Sequence, residues 1–177
     1  MKKSIPFWQM AGFVFVGIFG TILHFALDWS GGCPAFALFS AANESIWEHM
    51  KLLFYPMLVL SLVEYWRWGR QMDNFWCIKL TGILLGLALI PVIYYTYTGV
   101  LGVSADWFNI TIFFLAAGVS LWVETKRFAA GKCRRCVGKW AIGALVLLIV
   151  AFTVLTFLPP HIPLFRDPLT DTYGFQG

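Results

Sequence analysis

Charged residues are scarce in this sequence. Asp, Glu, Lys and Arg make up 12% of its 177 residues, against about 25% in a typical soluble domain. Hydrophobic residues make up 59%, which excludes a disordered chain and, despite the net charge of +4, a nucleic-acid binder. The same composition excludes a small secreted module built on disulfides.

The sequence also lacks the motifs that identify many enzymes and transporters. It has no internal repeat of the kind from which many transporters are built. It has no H-E-x-x-H motif, which would indicate a zinc hydrolase, and no recognisable pair of nucleophile and base. Any functional site must therefore be inferred from where the polar residues lie.

Long apolar runs are abundant, together with 17 Phe, 9 Trp and 6 Tyr. About 20 apolar residues cross a hydrocarbon core as a helix, and lipid requires that each spanning segment be helical. We predict an all-α integral membrane protein whose residues 1–158 form a bundle of five transmembrane helices, followed by a tail at 159–177. The predicted spans are 7–27, 45–68, 75–97, 105–124 and 140–158.

The basic residues predict the orientation of the bundle. If the N-terminus is cytoplasmic, 11 of the 13 Lys and Arg fall on the cytoplasmic side, as the positive-inside rule requires. The C-terminus is then extracytoplasmic, and the predicted location is the inner (cytoplasmic) membrane. These 11 residues are Lys2, Lys3, Arg67, Arg70, Lys79, Lys126, Arg127, Lys132, Arg134, Arg135 and Lys139. The loop between spans four and five contains Cys133 and Cys136, whose role stays open.

Each acidic residue on the predicted cytoplasmic side is three positions from an arginine. Side chains at i and i+3 on a helix are neighbours and pair readily. We interpret these residues as interfacial ion pairs without a further role. The pairs are Glu64 with Arg67, Asp73 with Arg70, and Glu124 with Arg127.

All three histidines, His24, His49 and His161, fall on the predicted extracytoplasmic side together with most of the acidic residues. Ionisable groups near the membrane tend to mark function, and His with carboxylates is a ligand set for zinc and other divalent metals. In span one, His24 and Asp28 share a helix face with Gly17 and Gly20, where small residues allow another helix to approach closely.

The segment 43–51 opens the second span. Ser45 and Glu48 have the spacing of a capping box, in which the Glu48 side chain accepts a hydrogen bond from the Ser45 amide. On a continuous helix Glu44 and Glu48 share one face, and His49 points about 100° away from it.

Consecutive antiparallel helices are usually neighbours, so the polar side chains of spans one and two could face one another. We therefore predict a divalent metal site between these two spans. The candidate ligands are His24, Asp28, Glu44 and Glu48. The alternative is that Lys51, on the same helix face, neutralises Glu48 without any metal.

The tail at 159–177 contains four prolines and several apolar residues, and we predict that it folds back as a lid and brings His161 towards this cluster.

In an enzyme, Glu48 or Asp28 would act as general base and the histidines as metal ligands. The complete set of candidate ligand-binding residues is His24, Asp28, Glu44, Trp47, Glu48, His49, Lys51 and His161.

Three stretches together resemble a known family. They are His24-Phe-x-x-Asp28-Trp-Ser30, Asn43-Glu-Ser-x-Trp-Glu-His-x-Lys-Leu52, and Pro159-Pro-His-x-Pro-Leu-Phe-x-Asp-Pro168 with Tyr173-Gly174. The family consists of small bacterial multi-span membrane proteins, common among Firmicutes, of unknown function. The likeness extends across the whole chain, and it implies a bacterial inner-membrane protein without naming an activity.

Three functions follow as hypotheses. The first is binding or transport of a cation or small solute in an acidic, histidine-containing outer pocket. The second is a metal-dependent hydrolase or transferase that acts on a lipid headgroup or peptide near the outer leaflet. The third is a non-catalytic accessory or scaffold protein. The small size favours a homo-oligomer or a partner membrane subunit, and no nucleic-acid partner is expected.

Overall fold

A computed structural model describes residues 5–130 and 138–176. Lys2, Lys3 and the basic loop with Cys133 and Cys136 lie outside the described residues, as do the predictions made for them. Within the described part the chain is helical, and its β-type pairing is an isolated bridge between Arg166 and Tyr173. The predicted all-α fold is confirmed.

Six α-helices follow one another in the described part of the chain. All except the short α2 are long and apolar enough to cross a membrane, which confirms the predicted number of five. The helices are α1 (Ile5–Trp29), α2 (Pro34–Ala37), α3 (Ile46–Arg67), α4 (Phe75–Leu101), α5 (Asp106–Ala130) and α6 (Gly138–Phe157).

Four of the spanning helices close into a ring. α1 packs on α3, α3 on α4, α4 on α5, and α5 on α1, while α6 lies outside the ring against α4. Val16, Leu53, Met57, Ile83 and Ala116 fill the centre and are fully buried. The middle of the bundle is therefore a packed apolar core.

Gly20 shows why small residues were needed on α1. A Cβ atom at this position would lie 2.5 Å from the Phe113 ring and 2.9 Å from the carbonyl oxygen of Leu52. α1 therefore approaches the α3 backbone closely, and His24, one turn further along α1, is brought to the start of α3.

Glu64 and Glu124 do not form the predicted pairs with Arg67 and Arg127. Both point into the bundle, where they meet Lys79 at N–O distances of 2.6 Å and 2.5 Å. The interfacial interpretation was wrong because the i, i+3 spacing considers one helix alone, whereas these three side chains come from α3, α4 and α5. We call Glu64, Lys79 and Glu124 the buried triad, and the end of the bundle that contains it the triad end.

The tail packs on the opposite end of the bundle. Asn43 donates a hydrogen bond to the carbonyl of Gly174 at 3.0 Å, and the Phe175 amide donates to the carbonyl of Thr156 at 2.9 Å. Phe165 is buried beside Trp47. Residues 163–175 thus contact both the segment that precedes α3 and the end of α6.

Candidate functional site

Ser45 sets the geometry at the start of α3. Its backbone is extended (φ −71°, ψ 154°), and its hydroxyl accepts a hydrogen bond from the Glu48 amide, so it is the N-cap and Ile46 is the first helical residue. Glu44 therefore precedes the helix and does not share a helical face with Glu48. The second half of the predicted capping box is wrong, because the Glu48 carboxylate accepts from the Ala42 amide at 2.7 Å instead.

His24, Glu44 and His49 come together at this end of the bundle. Each offers a ligand atom, and the three atoms lie within 4.8 Å of one another. Glu44 Oε2 is 3.4 Å from His49 Nε2, and the two imidazole ring centroids are 5.3 Å apart. We call these three residues the histidine cluster, and this end of the bundle the histidine end. All three side chains are partly exposed.

Hydrogen bonding orients His49 within the cluster. Its Nδ1 lies 2.9 Å from the carbonyl oxygen of Ser45, which can only accept, so we assign the ring proton to Nδ1. The lone pair of Nε2 then faces Glu44 Oε2, a second acceptor. His24 Nδ1 is buried and has no hydrogen-bond partner among the described residues. A cation placed between these acceptors would satisfy them.

Glu48 does not join the cluster, because it is held by Lys51. Glu48 Oε2 is 2.5 Å from Lys51 Nζ, and its Oε1 accepts from the Thr156 hydroxyl at 2.9 Å. Lys51 Nζ also donates to the carbonyl of Ala37 at 2.7 Å and to Thr156 Oγ1 at 2.9 Å. Both charged residues are at most 1% exposed. The pair is fully hydrogen-bonded, as the metal-free alternative required.

The remaining candidates lie around the cluster without entering it. Asp28 is exposed, one turn beyond His24 on α1. Trp47 packs between the rings of Phe152 and Phe165 at centroid distances of 4.6 Å and 4.8 Å. His161 is exposed and stacks on Tyr173. The predicted four-ligand set is therefore not brought together, and the structure groups His49 with His24 and Glu44 instead.

Asp167 in the tail fixes the backbone of Glu44. Asp167 is 5% exposed. Oδ2 accepts from the Glu44 amide at 3.3 Å, and Oδ1 accepts from the amides of Leu169 at 2.7 Å and Thr170 at 3.3 Å. Sequence reasoning gave Asp167 no role, although Asp-Pro at 167–168 is a turn signal in which the Asp side chain commonly binds following amides.

Replacing Asp167 by asparagine is expected to lower the free energy of unfolding by about 1–3 kcal/mol, the usual cost of leaving buried hydrogen-bonding groups unsatisfied. Both carboxylate oxygens are acceptors, so an amide would turn one of them into a donor facing another donor. A denaturant titration in detergent micelles measures the change. Asp171→Asn is the matched control, and an equal loss in that variant would contradict the assignment.

Asp171 suits that comparison because it is fully exposed. Its carboxylate hydrogen-bonds Arg166, which lowers the pKa of Asp171 and raises the pKa of Arg166. A depressed carboxyl pKa stabilises the fold above the ordinary pKa of aspartate, and this stability is lost as the pH falls through the lowered value. At an exposed pair the solvent screens most of the effect.

A cavity of about 240 Å³ opens beside the histidine cluster. Glu44 belongs to its lining, together with Tyr94 and Tyr95 from α4 and Arg166 from the tail. Glu44 thus belongs both to the cluster and to the lining of a cavity that contains two tyrosines.

Comparison with known proteins identifies a family but no activity. No curated protein and no solved structure matches the chain. Residues 1–175 match the model described as "Family of unknown function (DUF6512)". The chain therefore belongs to the DUF6512 family.

Proposed function

We propose that the protein binds a divalent transition-metal ion, with zinc the best fit, at the histidine cluster. The observation that carries the proposal is the convergence of ligand atoms from His24, Glu44 and His49 within 4.8 Å. Two imidazoles and one carboxylate form a known zinc ligand set, and three protein ligands leave a fourth position for water or a solute.

The distances support a site that tightens on binding. With ligands about 2.0–2.1 Å from zinc, tetrahedral ligand atoms lie about 3.4 Å apart. Glu44 Oε2 and His49 Nε2 already have a separation of 3.4 Å. His24 would complete the set by a small side-chain rotation. The Ser45 carbonyl, which accepts from His49 Nδ1, would then act as the outer hydrogen-bond partner that metal-bound histidines usually have.

Binding at one end fits the structure better than passage through the bundle. The centre of the helix ring is filled by fully buried apolar side chains such as Leu53, Met57 and Ile83, which leaves the polar groups at the two ends. Transport of the ion across the membrane would require this packed layer to open.

We further propose a bacterial inner-membrane protein with a cytoplasmic N-terminus and the histidine cluster on the extracytoplasmic side. Exposed Arg67, Arg70, Lys126, Arg127 and Lys139 lie at the triad end, in agreement with the positive-inside rule. Lys79 no longer counts towards that rule, because it is fully buried. In this orientation residues 159–177 form an extracytoplasmic lid beside the metal.

A second function, a metal-dependent hydrolase or transferase, would use the fourth position that three protein ligands leave on zinc. Asp28 would be its general base, since both Glu48 oxygens already accept hydrogen bonds. Hydrolysis of a phospholipid or peptide that requires zinc and is lost in Asp28→Asn would establish it.

Zinc binding by the purified protein in micelles tests the main proposal. We expect one zinc ion per chain by calorimetry and elemental analysis. His24→Ala and His49→Ala should each weaken binding by about 100-fold, equivalent to about 2.7 kcal/mol of lost ligand interaction. His161→Ala and Asp28→Asn are matched controls at the same end of the molecule and should bind normally. Absence of zinc binding in the unaltered protein, or equal losses in the His161 variant, would refute the site.

A further inference from the structure

The buried triad contains more acidic than basic groups. Glu64, Lys79 and Glu124 are each 0% exposed. Lys79 Nζ donates to Glu124 Oε2 at 2.5 Å and lies 2.6 Å from Glu64 Oε2 in an ion-pair contact that lacks hydrogen-bond geometry. With every group ionised, one ammonium faces two carboxylates, and the triad carries a net charge of −1.

Apolar layers close the triad on both sides along the helices. On each of its three helices, one residue about a turn before the triad member and one about a turn after it are buried and belong to hydrophobic clusters. These residues are Leu60 and Trp68 around Glu64, Phe75 and Ile83 around Lys79, and Leu121 and Phe128 around Glu124. An uncompensated charge in such a layer is strongly unfavourable, because neither water nor lipid stabilises it.

No second cation compensates that charge among the described residues. The basic residues that follow the triad members on α3 and α5, Arg67, Lys126 and Arg127, are exposed. Neutral polar side chains are buried nearby: Gln9 from α1, which is 4% exposed, and Ser61 from α3 and Ser120 from α5, which are both fully buried. Ser120 Oγ has no hydrogen-bond partner in the described structure.

The triad also has too few hydrogen-bond donors. Gln9 Nε2 donates to Glu64 Oε1 at 2.8 Å, which aims the Gln9 side chain at the triad. Gln9 Oε1 and Glu124 Oε1 are buried acceptors for which the described residues provide no donor. A single added proton would cancel the excess charge and supply one of the missing donors.

We infer that the buried triad is a proton-binding site in which Glu64 and Glu124 together hold one proton. The proton belongs to the coupled pair, as it does in other closely spaced carboxylates. Glu48 and Lys51 at the histidine end need no such proton, because one carboxylate faces one ammonium and every oxygen is hydrogen-bonded. The inference is independent of metal binding.

Infrared spectroscopy of the full-length protein tests this site. At neutral pH the unaltered protein should show the carbonyl-stretch band of a protonated carboxylic acid, and ¹³C-labelling of glutamate should shift that band. Glu64→Gln and Glu124→Gln should each abolish it, because either change leaves one carboxylate with one ammonium. Glu48→Gln is the matched control and should keep the band.

Three results would overturn the inference. The first is a protein without the band, and the second is a band that survives in both Gln variants. The third is a band that appears only when sodium is replaced by choline, because a bound cation would then balance the charge. If one Gln variant does not fold, the other variant and the isotope shift decide the outcome.

Discussion

Replacement of Lys79 by methionine is expected to destabilise the protein by about 3–5 kcal/mol, the usual cost of removing one partner from a buried ion pair. Methionine is similar in length to lysine but leaves Glu64 and Glu124 facing each other in a layer without water. Both residues are 0% exposed, so neither carboxylate can turn to solvent without opening the helix contacts. A denaturant titration in micelles measures the loss.

The control for this prediction removes the charges together. The triple variant Lys79→Met, Glu64→Gln and Glu124→Gln should recover most of the lost stability, because a neutral layer requires no ion pairing. Lys126→Met is a surface control, since Lys126 is exposed beside the Trp122 ring. If Lys79→Met were as stable as Lys126→Met, the triad would have no structural role.

The second large effect is expected from Lys51→Met at the histidine end, again about 3–5 kcal/mol. Lys51 Nζ contacts Glu48 Oε2, the carbonyl of Ala37 and Thr156 Oγ1. Methionine would leave the buried Glu48 carboxylate without its cation and two acceptors without their donor. Because Lys51 joins α3 to the segment before it and to α6, we also expect α6 to become more accessible to protease.

A double variant separates the lost charge pair from the lost packing. Glu48→Gln with Lys51→Met should regain part of the stability, since the glutamine oxygen can accept from the Ala42 amide and its NH2 group can donate to Thr156 Oγ1, without a buried charge. An unfolding free energy in Lys51→Met equal to that of the unaltered protein would show that the ion pair contributes nothing.

The sequence was sufficient to predict the spanning helices, because the length of an apolar segment decides whether it can cross lipid. It also identified His24, Glu44 and His49 among the candidates. It did not group them, because a continuous helical wheel was assumed through Glu44, whereas Ser45 is the extended N-cap and the helix begins only at Ile46. One backbone conformation thus turns Glu44 away from Glu48 and towards His49.

The buried triad was missed for a different reason. Glu64 and Glu124 each have an arginine three positions later, and this i, i+3 spacing predicts an ion pair with that arginine. The true partner is Lys79 on another helix, and only the packing of α3, α4 and α5 brings it near. Gly82 was a signal of this packing, because a Cβ there would lie 2.2 Å from Glu124 Oε1.

The hydroxyl of Thr156 has a consequence for how α6 finds its place. α6 is the most apolar of the spanning helices and has little of its surface buried. Contact with lipid alone therefore does not fix the rotation of α6 about its own axis. One setting presents Thr156 to both Glu48 and Lys51, and a turn by one residue, about 100°, would break both contacts. The Thr156 hydroxyl, together with the buried Phe152 one turn before it, thus fixes the rotation of an otherwise aliphatic helix.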